Sequence, residues 1–255
     1  DKNHLMTFHP FGRTMSATWF VTMPPWLDFN MFQSGHRRYG QRKGDGDNLA
    51  DSNVAEDNWR YVEASLACRP LKPVLDAEPS YEDIPHGLHD PAQPRWTAND
   101  VRRYAYWSVF AGSCGHTYGH NSIMQFYRPG YAPAYGADKT WMEALDAPGF
   151  NQMKYLKELM LRFPYFERVP DQSVIAGTNG KRYDRLIATR GDDYLLVYNY
   201  SARPMQIDLT ESRETRKKHG GSAPQTEPPN TSASSKTASP TSSTMPLTCR
   251  EPTEC

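Results

Sequence analysis

Residues Lys72 to Glu82, KPVLDAEPSYE, pass from an apolar run into three carboxylates, a proline and a tyrosine within a few positions. So short an apolar run reads as a buried strand, and its sudden polar ending places the last side chains in a loop beyond the core, where they are free for chemistry. Strand side chains alternate, so Val74, Asp76 and Glu78 are expected on one face, with Leu75 and Ala77 on the other. Glu78 is then the last residue of its face and sits at the mouth. An isolated Glu at such a place is more often half of a structural salt bridge than a catalytic group, so its neighbours decide the reading.

The same rhythm extends over residues 1–163. His4 to Pro10 reads as one strand, Trp26 to Ser34 as a second, the run ending at Glu78 as a third and Gly112 to His120 as a fourth. Helical spacing predicts helices over Asp51 to Ala67, from about Thr97 through Val109, and from about Pro148 to Phe163. Thr97 or Asn99 suits the cap of the middle helix, and Asp100 its first turn. Strand alternating with helix, polar at one set of strand ends, is the pattern of an α/β parallel sheet, open or closed as a (β/α) barrel.

Beyond Pro164 the spacing changes to short strand-like runs: Ser173 to Ala176, Tyr183 to Arg190, Asp193 to Tyr200 and Met205 to Leu209. Gly191-Asp192 between two alternating runs predicts a hairpin. Residues 164–211 are thus expected to form a truncated antiparallel β domain. From 212 to 255 no aromatic residue occurs and Ser, Thr and Pro dominate. Such a tail cannot bury enough apolar area to offset its ordering entropy, so it is expected to be disordered. Its abrupt onset reads as a frameshift or misjoined end, with a natural Ser/Thr-rich linker as the alternative.

Composition narrows the partners. Lysine plus arginine and aspartate plus glutamate both number 29, so no electrostatic case exists for nucleic acid or an anionic membrane. No apolar run approaches a membrane span of roughly 20 residues. The chain starts at Asp1 in what reads as a strand, which suggests a fragment lacking an earlier segment, so the absence of a leader carries no information. The cysteines Cys68, Cys114, Cys249 and Cys255 have neither metal-type nor dense disulfide spacing, and the redox compartment stays open.

The C-terminal ends of the four strands collect His9; Asn30, Gln33, Ser34 and His36; Asp76, Glu78, Tyr81 and Glu82; and His116, Tyr118 and His120. In barrels the loops after the strands carry the active site. His116, Tyr118 and His120 alternate, and are expected on one face. Two chemistries compete for this set. A metal is disfavoured because neither His-x-His nor His-Glu-x-x-His spacing occurs, and no metal or other cofactor is expected. Glycoside hydrolysis needs a carboxylate nucleophile and a second carboxyl as acid/base. Glu78 fits the nucleophile, with neutral donors from His9, Gln33, His36, Tyr81, His116, Tyr118 and His120 to grip hydroxyls.

The strings LMTFHP (5–10), WLDFNMFQSGH (26–36), PVLDAEPSYE (73–82), RRYAYWSVFAG (102–112) and GHTYGHNSI (115–123) resemble the apiosidase-like glycoside hydrolases. YFERVPDQ (165–172) and YDRLIATR (183–190) resemble the β domain that follows the barrel in those bacterial proteins and carries a collagen-binding label. The resemblance covers about residues 4–209. It implies that the four strands are the C-terminal half of a (β/α)8 TIM barrel, that Glu78 after the seventh strand matches the nucleophile of a retaining enzyme, and that the substrate is an oligo- or polysaccharide of plant type. It also implies a periplasmic or secreted setting. The family's acid/base Asp follows the fourth strand, which would precede residue 1, and the tail matches nothing in the family's β domain. The alternative reading is a non-catalytic glycan- or matrix-binding protein on a barrel scaffold.

Overall fold

The computed structural model describes residues 3–19, 24–41 and 56–210. Its first unit runs α1 (Ser16–Trp19), β1 (Asn30–Phe32), α2 (Asn58–Ala67), β2 (Val74–Asp76), α3 (Ala98–Phe110), β3 (Gly115–His116), α4 (Asn121–Met124) and α5 (Pro148–Leu161). The strands form one parallel sheet in the order β1-β2-β3, with Asn30 paired to Val74, Phe32 to Asp76, and Asp76 to His116. Helices α2 and α3 are the crossovers. Phe32, Val74, Tyr61, Val62, Ala105 and Trp107 join in a core beneath the sheet, to which α5 adds Leu156 and Met160. Because α2 and α3 cover the side on which Val74 and Asp76 are buried, that side is the helix face and Leu75 lies on the other.

Helix α3 begins where its sequence says it should. Thr97 accepts from the Asp100 N–H, and the Asp100 carboxylate accepts from the Thr97 N–H at 2.9 Å, a reciprocal capping box. Val101, Tyr104, Ala105, Ser108 and Val109 are all buried, as their spacing predicts. Helix α5 ends within two residues of its expected limit. The part of the expected second-strand-to-third-strand helix at Asp51 to Ala55, and the expected disordered tail over 212–255, lie outside the described residues.

The strands are shorter than expected, and the first is not a strand. Residues Leu5 to Pro10 form no ladder; Met6 and Asp28 exchange hydrogen bonds and Thr7 donates to the Phe29 carbonyl at 2.6 Å. The segment lies alongside the approach to β1 but supplies only isolated contacts, and a strand exists only where successive residues pair. The fourth strand is likewise limited to β3; beyond it the Thr117 N–H still donates to the Asp76 carbonyl at 2.9 Å, and His120 pairs with Glu82 in an isolated parallel bridge.

After α5 come β4 (Val169–Pro170), β5 (Ile175–Ala176), β6 (Leu186–Arg190), β7 (Leu195–Asn199) and β8 (Gln206–Ile207), forming two small antiparallel sheets, β4-β6-β7 and β5-β8. The Gly191-Asp192 hairpin forms with Arg190 opposite Leu195. Val174, Ile175, Leu186 and Ala188 make a small core of their own, whereas Ile187 joins the larger core under the parallel sheet. Alternation along β6 thus splits one strand between two cores.

Candidate active site

The pairing of β1 with β2 slips by one residue beyond Asp76. Continued register would give the Ser34 N–H to the Ala77 carbonyl; instead Ser34 and Gly35 both donate to the Glu78 carbonyl, at 3.1 and 2.9 Å. Gly35 is required at this crossing, since a Cβ there would lie 2.5 Å from the Pro79 carbonyl carbon. The slip separates two carboxylates that strict alternation puts on one face. Asp76, fully buried, accepts from the Ser34 hydroxyl at 2.9 Å and Asn58 Nδ2 at 2.8 Å. Glu78 instead meets Gln33, the neighbour of Ser34 that an extended chain points the other way.

Around Glu78 the side chains converge. Gln33 Nε2 donates to Oε1 at 2.8 Å, His36 Nε2 lies 3.2 Å from the same oxygen, and His9 Nε2 lies 3.5 Å from Oε2. The Tyr81 phenol is pushed up to about 12 by burial and then by the charge of, and a hydrogen bond to, Glu78, so it stays a neutral donor. Its ring meets His36 edge-on at 4.8 Å. The Glu78 side chain keeps 24% exposure, while that of His36 keeps 4%. His36 has φ of 77° and is not glycine, a strained backbone held by the Ser80 hydroxyl on its N–H at 2.9 Å.

Four of the candidate binding residues, His9, Gln33, His36 and Tyr81, therefore surround Glu78. The other three do not reach it. His116 pairs beside Asp76 and so lies on the helix face, its Nε2 3.2 Å from Met153 Sδ of α5; burial pulls its imidazole down to about 4, which keeps it neutral. The Tyr118 hydroxyl donates to Glu82 Oε2 at 2.6 Å, and His120 Nδ1 accepts from the Ser122 N–H at the start of α4. His116 and Tyr118 both meet α5, through Met153 and through the Phe150 ring at 5.7 Å, and His120 pairs with Glu82 in an isolated parallel bridge, so these alternating residues serve the α5 side and not Glu78.

The remaining carboxylates are engaged. Burial drives the Asp76 carboxyl up to about 7, against the opposing effect of Asn58 and Ser34. Glu82, 5% exposed, accepts from Tyr118 and, at 3.1 Å, from the Gly149 N–H in the first turn of α5. A carboxylate at that end meets unpaired N–H groups and the positive end of the helix dipole. Sequence reasoning missed this partner; a glycine directly after Pro148 at a helix start is the signal that something approaches the backbone there. Among the described residues no group of three or more His, Cys, Asp or Glu side chains is placed to hold a metal ion. No described helix is long and apolar enough to cross a membrane.

A parallel sheet carrying a part-exposed carboxylate ringed by Gln33, His9, His36 and Tyr81 can now be set beside known proteins. Residues 1–167 match the family described as "Apiosidase-like, catalytic domain". The chain belongs to that family. Residues 169–226 match a second family, described as "Putative collagen-binding domain of a collagenase". Among solved structures, a glycoside hydrolase is 72% identical with a TM-score of 0.79, over 82% of this chain and 47% of that one. A glycoside hydrolase family 5 protein from Bacteroides vulgatus is 75% identical, also with a TM-score of 0.79, over 82% of this chain and 46% of its own. The chain thus spans about half the length of these solved relatives. No curated protein matches it.

Proposed function

We propose that this chain is the C-terminal half of the (β/α)8 barrel of a retaining glycoside hydrolase, with residues 1–163 as its share of the catalytic domain and 164–211 as part of a following β domain. Glu78 is the nucleophile, His9, Gln33, His36 and Tyr81 hold its carboxylate and the sugar, and the substrate is a plant-type oligo- or polysaccharide met in the periplasm or outside the cell. The observation that carries this reading is the difference among the carboxylates: Asp76 is sealed under the helices and Glu82 is bound to α5, whereas Glu78 is part-exposed and touched by Gln33, His36 and His9.

In this reading a Glu78 oxygen attacks the anomeric carbon, the glycosidic bond breaks as an acid/base carboxyl protonates the leaving oxygen, and water then hydrolyses the glycosyl ester. The Gln33 amide and the imidazoles of His36 and His9 hold and orient the carboxylate. The acid/base is assigned to the preceding half of the barrel because the family resemblance puts that Asp after the fourth strand; within this chain Asp76 and Glu82 are both held by protein partners.

The test is covalent. An activated 2-fluoro glycoside, incubated with the full-length enzyme and followed by peptide mass mapping, is expected to label Glu78. Labelling at Glu82 or Asp76, or wild-type turnover by Glu78→Gln, would overturn the assignment; absence of both labelling and turnover across aryl glycosides would favour a glycan-binding role.

A further inference from the structure

A second polar cluster lies where the antiparallel unit meets α3. Arg103 is fully buried, donates to Glu56 at 2.5 Å and to Asp100 at 3.1 Å, and its guanidinium lies 4.8 and 5.1 Å from the ring centroids of Tyr183 and Tyr200. A guanidinium out of water requires such carboxylates and ring faces. Tyr183, just ahead of β6, does more than cover it. Its hydroxyl donates to Glu56 Oε1 at 2.9 Å and accepts from Arg38 Nη2 at 3.0 Å.

Arg38 stands two residues beyond His36. The strained His36 backbone is fixed on one side by the loop after β2, through Ser80 Oγ and through the Gly87 N–H, which donates to the His36 carbonyl at 2.8 Å. On the other side the hold is shared: Arg38 reaches His86 of the same loop at 3.1 Å and Tyr183 of the antiparallel unit at 3.0 Å, while the Tyr39 N–H donates to Glu56 at 3.0 Å. A left-handed residue that is not glycine persists only when its surroundings over-determine it. One part of that restraint passes through a tyrosine of the antiparallel unit.

We propose that Tyr183 is a positioning residue of the Glu78 site, holding Arg38 and through it the His36 imidazole against Glu78 Oε1. Its geometric part stands on the contacts themselves, and only its catalytic consequence rests on the reading of Glu78 as nucleophile. The antiparallel unit is then part of the active site's framework.

Tyr183→Phe keeps the ring over Arg103 and removes the hydroxyl. In this chain, the His36 imidazole nitrogens are followed by 15N NMR through a pH titration, with His36→Asn fixing the assignment. Tyr183→Phe and Arg38→Lys are each expected to move the His36 resonances and their titration midpoint. In the full-length enzyme the same changes are expected to lower kcat about 10-fold with KM little altered, and to move the acid limb of kcat/KM up by about half a pH unit as the carboxylate loses a donor. Unmoved His36 resonances in the folded variants overturn the proposal, even when the melting temperature falls, for then Tyr183 only docks the two units. If Tyr183→Phe fails to fold, Arg38→Lys decides by the same resonances. Wild-type turnover by Glu78→Gln alongside a displaced His36 sinks the nucleophile reading and leaves the positioning intact.

Discussion

Glu82 accepts a hydrogen bond from the Gly149 N–H at 3.1 Å across 67 residues of sequence, so a loop carboxylate caps the N-terminus of α5. A Cβ on Gly149 would lie 2.3 Å from Glu82 Oε2 and 2.7 Å from Val101 Cγ2. Glycine in a helix is ordinarily less stable than alanine by roughly 0.5–1 kcal/mol. Here the sign reverses: Gly149→Ala is expected to destabilise by about 1–3 kcal/mol through overpacking, measured by urea unfolding. In a Glu82→Ala background the loss should shrink, since the carboxylate that clashes is gone.

The Glu78 ring predicts a graded series. On the proposed role of Glu78 as nucleophile, Glu78→Gln in the full-length enzyme is expected to cut turnover by at least about 1,000-fold while ligand binding is largely kept. Gln33→Ala removes a single donor and should cost about 10- to 100-fold. Steady-state kinetics on an aryl glycoside order the two, and a larger loss at Gln33 than at Glu78 contradicts the series.

Asp76 and His116 sit side by side in register and titrate in opposing senses. The Asp76 carboxyl is raised from 3.8 to about 7, so its contribution to stability is full below pH 4 and is lost as pH rises through 7. His116 is lowered from 6.5 to about 4, so its contribution is full above pH 6.5 and is lost as pH falls toward 4. The two slopes offset each other between pH 4 and 7. Asp76→Asn is therefore expected to make stability fall more steeply with acid across that window than in the parent, by about 1–3 kcal/mol. Denaturant titrations at several pH values check it, and parallel pH profiles for the two proteins would contradict it.

The capping box offers a local control. Thr97→Ala takes the acceptor from the Asp100 N–H and is expected to cost about 1 kcal/mol, whereas Thr97→Ser should cost little. Thermal melts distinguish them, and equal melting temperatures for Ala and Ser would show that the cap contributes nothing measurable.

Where the deciding physics is short-ranged, the chain's own letters were enough. The start of α3 follows from a threonine and an aspartate three residues apart, the hairpin at Gly191-Asp192 from the residues between two alternating runs, and the place of β2 from the apolar run that ends at Asp76. The part-exposed place of Glu78, too, could be read from its position past the end of an apolar run. What periodicity could not settle was pairing. His4 to Pro10 has strand-like residues, yet no neighbour runs beside it in register, and beyond His116 the pairing of β3 thins to a Thr117 bond to Asp76 and an isolated bridge between His120 and Glu82. A one-residue slip at Ser34 and Glu78 put two carboxylates of the same expected face in different surroundings. Local propensity acts over a few residues and is written in them, whereas the bond from Glu82 to Gly149 and the bond from Arg38 to Tyr183, 145 residues apart, exist only because loops of particular path bring distant backbone and side chains within 3 Å or so. The sequence alone determined which residues had the chemistry. The tertiary structure decided which of them meet.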